Sequence, residues 1–159
     1  MTTPAAAETF FTSGDGLRLF YRDFAPLTPS SKLPVLCLPG LTRNSRDFTH
    51  VAERIRRDRR VLCADLRGRG RSQHDPVWQN YHPGTYLADI GLLLADAGVT
   101  RCVLLGTSLG GILSMLLAAT NPTLVAGVIL NDVGPEVAPA GLARIAAYVG
   151  RHAPPASWD

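Results

Sequence analysis

The sequence of 159 residues lacks long apolar runs, a signal segment and a strong excess of charge of one sign. No stretch approaches the ~18 consecutive apolar residues of a membrane-spanning helix, and the N-terminus has no basic segment followed by an apolar one. The formal net charge of +3 is spread over short basic groups, of which residues 56–60 are predicted to form a solvated helix end. The sequence therefore implies neither a membrane nor nucleic acid as a partner.

Cysteine is scarce, and the number of cysteines is odd. Cys37, Cys63 and Cys102 each lie within an apolar run that is typical of a buried strand. Three thiols in such positions do not form a disulfide framework, and unpaired buried thiols suit a reducing compartment. The sequence therefore predicts a cytoplasmic protein.

The motifs that would indicate a cofactor are also missing. There is no Walker loop, and the glycine-rich segment at residues 68–72 follows a strand without the spacing of a dinucleotide-binding fingerprint. Histidines, cysteines and carboxylates do not recur at the spacing of metal ligands. We expect a single domain of ordinary globular composition that uses neither a metal nor an organic cofactor.

Hydrophobic periodicity predicts a hairpin followed by alternating strands and helices. Residues 9–24 indicate two short strands around a glycine-containing turn. Later apolar runs are typical of strands buried on both faces, at 34–38, 60–65, 101–106 and 124–131. Apolar residues at helical spacing predict helices at 48–55, 86–97, 108–120 and 142–149. This order predicts an α/β fold, with a mostly parallel sheet, an N-terminal antiparallel hairpin and helices on both faces.

The pentapeptide Gly106-Thr107-Ser108-Leu109-Gly110 lies where the third parallel strand meets a helix. Composition alone predicts roughly 0.07 occurrences of this G-x-S-x-G pattern in the chain. A serine hydroxyl is a weak nucleophile at neutral pH, so a tight strand-to-helix turn must expose it to a base and to backbone donors. We therefore predict that Ser108 is a nucleophile. The alternative is a serine that caps the following helix.

Three more segments accompany this turn: LPGLT at 38–42, DLRGRGRS at 65–72 and NDVGP at 131–135. Together the four segments resemble the α/β-hydrolase fold family, over about residues 10–149. The resemblance implies a serine hydrolase that acts on an ester or other acyl substrate through an acyl-enzyme on Ser108. It also implies that the backbone N–H groups of Leu41 and Leu109 stabilise the oxyanion. Pro39 stands where the family most often has histidine, a departure that backbone donors tolerate.

The resemblance covers only the N-terminal half of the family fold. Members place the triad acid usually after the seventh strand and the base histidine after the eighth. Residues 1–134 are predicted to form the first part of the core, truncated after the sixth strand, and residues 135–159 the start of a cap region or a truncated tail. The apolar sixth strand would then be an unpaired edge, which favours a piece of a longer protein. We expect the base to lie beyond Asp159.

Asp132 is a candidate for the triad acid, because it lies at the carboxyl end of the sixth strand, where such sheets bind ligands. Some family members, notably the haloalkane dehalogenase branch, take their acid from that position. The alternative is a structural role in the loop before Pro135. His152 is the one histidine that follows Ser108, but its proline-containing tail has no scaffold to aim the ring.

The other polar residues near these motifs are predicted to have structural roles. His50, His74 and His82 are expected to be solvated surface residues. Asp65 and Arg67 are expected to form an ion pair or a loop brace rather than to act in catalysis. Three residues after the oxyanion loop could border the substrate pocket, with surface or core roles as the alternative: Arg43, Asn44 and Phe48.

Hydrolysis of a small-molecule acyl substrate is the main hypothesis. Amide hydrolysis, carbon–carbon cleavage and perhydrolysis stay open, because the same triad serves all of them. Dehalogenase chemistry is disfavoured, because that branch uses a carboxylate nucleophile. The alternative from another class is a non-catalytic fragment or binding remnant of the same fold. No sequence feature indicates the oligomeric state.

Overall fold

The computed structural model describes residues 5–136 and 138–151. Within them, six strands form one sheet, and four α-helices and two short 3-10 helices connect or follow them. The strands are β1 (Ala7–Thr12), β2 (Arg18–Phe24), β3 (Val35–Leu38), β4 (Val61–Asp65), β5 (Cys102–Thr107) and β6 (Val125–Asn131). The α-helices are α1 (Thr49–Ile55), α2 (Pro83–Asp96), α3 (Leu109–Thr120) and α4 (Pro139–Tyr148), and the 3-10 helices are Ser45–Phe48 and Trp78–Asn80.

The sheet has the order β1-β2-β4-β3-β5-β6. β1 and β2 form an antiparallel hairpin, and β2 also pairs antiparallel with β4. The pairs β4–β3, β3–β5 and β5–β6 are parallel. The predicted mostly parallel sheet with an N-terminal antiparallel hairpin is confirmed. Because parallel strands end on the same side, the carboxyl ends of β3, β4, β5 and β6 share one edge of the sheet.

Each face of the sheet has its own apolar core, because successive side chains of a strand point to opposite faces. On one face, α2 and α3 cover a cluster that includes Leu36, Leu104 and Leu113. On the other face, α1 and the preceding 3-10 helix cover a cluster that includes Val35 and Phe48. Helices therefore lie on both faces, as the sequence predicts.

The three cysteines are buried and unpaired in their strands, as predicted. Cys37 and Cys63 are register partners on β3 and β4. Their mutual hydrogen bond, together with burial, raises the pKa of the Cys37 thiol, and burial raises the pKa of Cys102 to about 11. Such thiols stay protonated and unreactive at neutral pH. The cytoplasmic location stays a prediction.

A buried charge cluster replaces the ion pair that was expected between Asp65 and Arg67. The Arg67 guanidinium is 1% exposed and forms a two-pronged pair with Asp89, with donor–acceptor distances of 2.8 and 2.9 Å. It also donates to Asp15 at 2.8 Å and to Asp75 at 2.5 Å. Asp65 makes no bond to it, because the Asp65 carboxylate accepts from backbone N–H groups instead. Arg67 thus braces the loop after β4 against the hairpin and α2.

The prediction that residues 56–60 form a solvated helix end is wrong for Arg56. Its side chain is 1% exposed, and it donates to the Ala25 carbonyl at 3.1 Å. The guanidinium also lies 5.6 Å from the centre of the Phe24 ring. This arginine is therefore part of the packing under α1, whereas Arg57 is exposed.

One edge and part of one face of the sheet are open within the described residues. There β6 pairs only with β5, and on the α1 face Val103 and Leu105 of β5 pack only partly buried against the cluster under α1. Ile129 is consequently 52% exposed and lines a groove of about 560 Å³. None of the residues of α4 is buried. The boundary at residue 134 stays a prediction, and no helix in 5–136 or 138–151 is long and apolar enough to cross a membrane.

Candidate active site

Ser108 occupies a strained turn between β5 and α3. Its backbone has φ 50° and ψ −113°, in the left-handed half of conformational space that residues other than glycine rarely adopt. Such a conformation costs about 1–3 kcal/mol and persists only where its surroundings enforce it. Here the Ser108 N–H donates to the Asn131 carbonyl at 3.1 Å, and the Ser108 carbonyl accepts from Gly111 at 2.9 Å. The turn is thus fixed by both β6 and the first turn of α3.

The Ser108 side chain is not used to hold the fold together. Ser108 is the N-cap residue of α3, but its hydroxyl makes no capping hydrogen bond. The hydroxyl has no other hydrogen-bond partner in the part of the chain that the structure describes. The alternative of a helix-capping serine is therefore wrong, and the half-buried hydroxyl is available for other chemistry.

Gly106 and Gly110 are required by the close approach of α3 to the sheet. A Cβ on Gly110 would lie less than 3 Å from the carbonyl carbon and oxygen of Leu38 on β3. A Cβ on Gly106 would meet the Gly110 carbonyl just as closely. These obstacles are backbone atoms that cannot turn away. The spacing of the two glycines around Ser108 therefore has the steric cause that the sequence indicates.

The loop after β3, residues 39–44, packs directly on this turn. A Cβ on Gly40 would be 3.6 Å from the Ser108 Cβ and 3.8 Å from the Thr107 carbonyl oxygen. Leu109 follows Ser108 directly in the chain, and Leu41 follows Gly40 in the loop that packs on the turn. Neither of their N–H groups has a hydrogen-bond acceptor within the described residues. Two unpaired N–H groups beside an unused hydroxyl form an arrangement that can bind an oxyanion.

The end of β4 and the loop after it hold the 39–44 loop and the adjoining Ser45 in place. The Arg69 Nε donates to the Leu41 carbonyl at 2.5 Å. One oxygen of Asp65 accepts from the Ser45 N–H at 2.7 Å, and the other accepts from the Arg71 N–H at 2.8 Å. The sequence indicated the motif but not these individual contacts, because two of the three pairs of partners are 20 or more residues apart. The expectation of a loop brace is confirmed for Asp65, through backbone groups.

Arg69→Gln is expected to increase amide hydrogen exchange in residues 41–44 about fivefold, because the Leu41 carbonyl loses a hydrogen bond worth about 1 kcal/mol. Hydrogen exchange followed by mass spectrometry measures the effect, and the β1–β2 hairpin provides the internal reference. Arg57→Gln, at an exposed arginine just after α1, is the matched control. Equal exchange in the two variants would contradict the bracing role.

Asp132 follows β6 directly and has a left-handed backbone conformation, with φ 57°. Its side chain is exposed, and it makes no hydrogen bond or ion pair within the described residues. A carboxylate that only braced its own loop would bond to that loop. The neighbouring Asn131 contacts the Ser108 turn through its carbonyl, and its side-chain amide donates to Thr107 at 3.3 Å. Asp132 thus lies next to the turn with its carboxylate unused.

The described histidines have surface positions, as predicted. His82 caps α2, since its Nδ1 accepts from the Gly84 N–H at 3.1 Å. His74 lies 3.2 Å from the Tyr81 hydroxyl, and His50 is exposed on α1. His152 lies outside the described residues. No described histidine makes a hydrogen bond to Ser108.

The residues that follow Leu41 have mixed roles. Phe48 is buried, and it lines the open groove together with Arg43. Asn44 caps the first 3-10 helix, because its side-chain oxygen accepts from the Arg46 N–H. Asn44 also lines a separate polar cavity of about 310 Å³. Within residues 5–136 and 138–151, no three His, Cys, Asp or Glu side chains are placed to hold a metal ion.

Residues 34–159 match the sequence model of the alpha/beta hydrolase fold. The chain is 38% identical, over 133 residues, to the 3-hydroxybutyrate-oligomer hydrolase of Cupriavidus necator, covering 84% of this chain and 45% of that protein. It is 33% identical, over 106 residues, to the sn-1-specific diacylglycerol lipase ABHD11 of Danio rerio, covering 65% of this chain and 32% of that protein. The chain therefore spans less than half the length of these two curated relatives.

Solved structures agree with the sequence comparison. An alpha/beta hydrolase from Novosphingobium aromaticivorans superposes with a TM-score of 0.87 and 51% identity, over 94% of this chain and 52% of that one. A thioesterase domain from the curacin biosynthetic pathway superposes with a TM-score of 0.74 and 25% identity, over 91% and 52% of the two chains. The likeness extends over nearly the whole described chain and about half of each neighbour.

Proposed function

Because the chain belongs to the α/β-hydrolase fold family, we propose that it carries the nucleophile of a serine hydrolase that cleaves an ester or other acyl substrate. The observation that carries the proposal is the strained Ser108 turn, whose hydroxyl has no structural partner in the described residues. Strained backbone conformations cluster at active sites, so the strain at Ser108 supports a functional role for this residue.

In the proposed reaction the Ser108 Oγ attacks the acyl carbon while a base accepts the hydroxyl proton. The negative charge that develops on the carbonyl oxygen is held by the N–H groups of Leu41 and Leu109, and losing one such donor typically costs ~3 kcal/mol of transition-state stabilisation. Collapse of the tetrahedral intermediate expels the alcohol, which takes the proton from the base, and leaves an acyl-enzyme. Water then hydrolyses the acyl-enzyme by the same steps.

Asp132 is proposed as the acid that orients the base. Its position beside the Ser108 turn and its unused carboxylate support this role. The base is proposed to be a histidine outside the described residues, because none of the described histidines bonds to Ser108. The names of the two curated relatives refer to 3-hydroxybutyrate oligomers and to diacylglycerol, and both of these are esters. This supports ester cleavage over the other reactions of the triad.

A fluorophosphonate probe and a short-chain p-nitrophenyl ester test this function on the 159-residue chain and on a longer form of the protein that supplies a base. We expect labelling and turnover that Ser108→Ala abolishes and that Ser31→Ala, at an exposed serine, leaves unchanged. Asp132→Asn is expected to lower kcat strongly while leaving KM nearly unchanged. Activity that survives Ser108→Ala would contradict the proposal.

The second candidate is a binding module without catalysis. The absence of a base at Ser108 within residues 5–136 and 138–151 favours it for this chain alone. Under this alternative, neither the 159-residue chain nor the longer form reacts with the probe. Turnover by the longer form only would support the hydrolase and assign the missing group to the added residues.

A further inference from the structure

Arg43 lies beside Ser108 at the entrance of the open groove. A Cβ on Gly40 would be 3.6 Å from the Arg43 Cγ and 3.6 Å from the Ser108 Cβ. Since both atoms lie this close to one point, they are no more than about 7 Å apart. The Arg43 side chain is 64% exposed, and its Cδ and guanidinium group extend beyond the Cγ. A charge on a substrate bound at Ser108 is therefore within its reach.

The guanidinium presents an unused edge to solvent. The Arg43 Nε donates to Asp47 Oδ2 at 2.5 Å. The two Nη groups have no hydrogen bond within the described residues. The hydrogen bond to Asp47 raises the pKa of Arg43, so the group stays charged at every relevant pH. A pair of N–H donors on a fixed plane matches the two oxygens of a carboxylate.

Further arginines follow the same two strands, but they do not line the open groove. Arg69 and Arg71 come from the loop after β4, and Arg46 comes from the 3-10 helix that follows the 39–44 loop. The carboxylate of Glu8 pairs with Arg71, which, together with Arg22 and Arg46, lowers the pKa of that carboxyl. Arg46, Arg71 and Glu8 line the separate polar cavity, whereas Arg43 lines the open groove. Among the described residues that line this groove, Arg43 is the arginine that can offer a positive charge to a substrate beside Ser108.

We propose that Arg43 is a specificity-determining residue that selects acyl substrates carrying a carboxylate near the scissile ester. The inference rests on the proposed hydrolase function of Ser108. Asp47 is the internal competitor, because its carboxylate already occupies one side of the guanidinium. Loss of Arg43 and loss of Asp47 should therefore change the selectivity in opposite directions.

Two esters with the same acyl chain length measure this selectivity: mono-4-nitrophenyl glutarate, which ends in a carboxylate, and 4-nitrophenyl pentanoate, which ends in a methyl group. In the form that turns over ester, Arg43→Gln is expected to lower the ratio of kcat/KM for glutarate over pentanoate about tenfold, mainly through KM. Asp47→Asn is expected to raise it about threefold. The effect of Arg43 should weaken as salt is added. The matched control, Arg57→Gln, should leave the ratio unchanged.

An unchanged ratio in Arg43→Gln would overturn the inference and leave the proposed function standing. If wild-type protein hydrolyses neither ester, the proposed function fails, and the anion site is tested by binding. Sodium glutarate should then shift the amide NMR signals of residues 40–47 in wild type and Arg57→Gln but not in Arg43→Gln, with sodium chloride at equal ionic strength as the reference. The absence of such shifts in wild type would overturn the anion site as well.

Discussion

Gly110→Ala is expected to lower the free energy of unfolding by about 3 kcal/mol or more, because its new methyl group would overlap the Leu38 carbonyl. Leu38 lies at the end of the central strand β3, and its register partner on β5 is Gly106. Neither the strand nor the first turn of α3 can move without disturbing this pairing. The clash is therefore relieved only by displacing α3 from the sheet.

The matched control is Gly91→Ala on the exposed side of α2. No atom lies within 4 Å of a Cβ at that position, so only the backbone preference changes. Alanine is favoured over glycine inside a helix by about 1 kcal/mol, which predicts a gain in stability. Urea unfolding followed by circular dichroism measures both variants. A Gly110→Ala protein as stable as wild type would contradict the steric explanation.

Arg67→Met is expected to lower the free energy of unfolding at pH 7 by about 3–5 kcal/mol, because it leaves carboxylates without their cation. The three acidic partners of Arg67 come from the hairpin, the loop after β4 and α2. Arg60→Met is the control, since Arg60 pairs with Asp23 in a half-exposed position. A partly solvated pair contributes about 1 kcal/mol or less. Similar losses in the two variants would contradict the importance of burial.

The deficit of Arg67→Met should shrink as the pH falls from 7 toward 2. In the wild type, the hydrogen bond from Arg67 lowers the pKa of Asp15 to about 2, so this stabilisation is present above about pH 4 and is lost as the pH falls toward 2. Burial raises the pKa of Asp89, and Arg67 opposes that shift. Without Arg67 the folded variant binds a proton on Asp89 more readily and regains stability on acidification. A deficit that grows on acidification would contradict this explanation.

Local patterns in the sequence predicted the strands and the turn around Ser108, because hydrophobic period and glycine spacing report on neighbours along the chain. The partners of Arg67 were missed, because Asp15 and Asp89 are brought to it by the sheet and not by sequence proximity. For the same reason Asp65 was paired in prediction with the nearest arginine, whereas its carboxylate binds backbone N–H groups.

The sequence pattern also did not predict that one arginine of a charged group is buried. Arg56 lies in a group of four arginines that all look solvated in the sequence, yet one of them turns inward to the Ala25 carbonyl. The role of Arg43 beside Ser108 depends on the path of the 39–44 loop, which glycine and proline permit but do not determine. Sequence patterns therefore located the candidate site, and the long-range contacts determine how its loops are held.

The hydrogen bond from the Ser108 N–H to the Asn131 carbonyl links the candidate nucleophile to the stability of the edge strand β6. Asn131 is the last residue of β6, the strand at the open edge of the sheet among the described residues. The turn has this hydrogen bond only while the edge strand is docked on β5. Fraying of β6, which costs less than global unfolding, releases the turn and lets Ser108 relax. The geometry of the candidate nucleophile is thus tied to the stability of the edge strand as well as to its own turn.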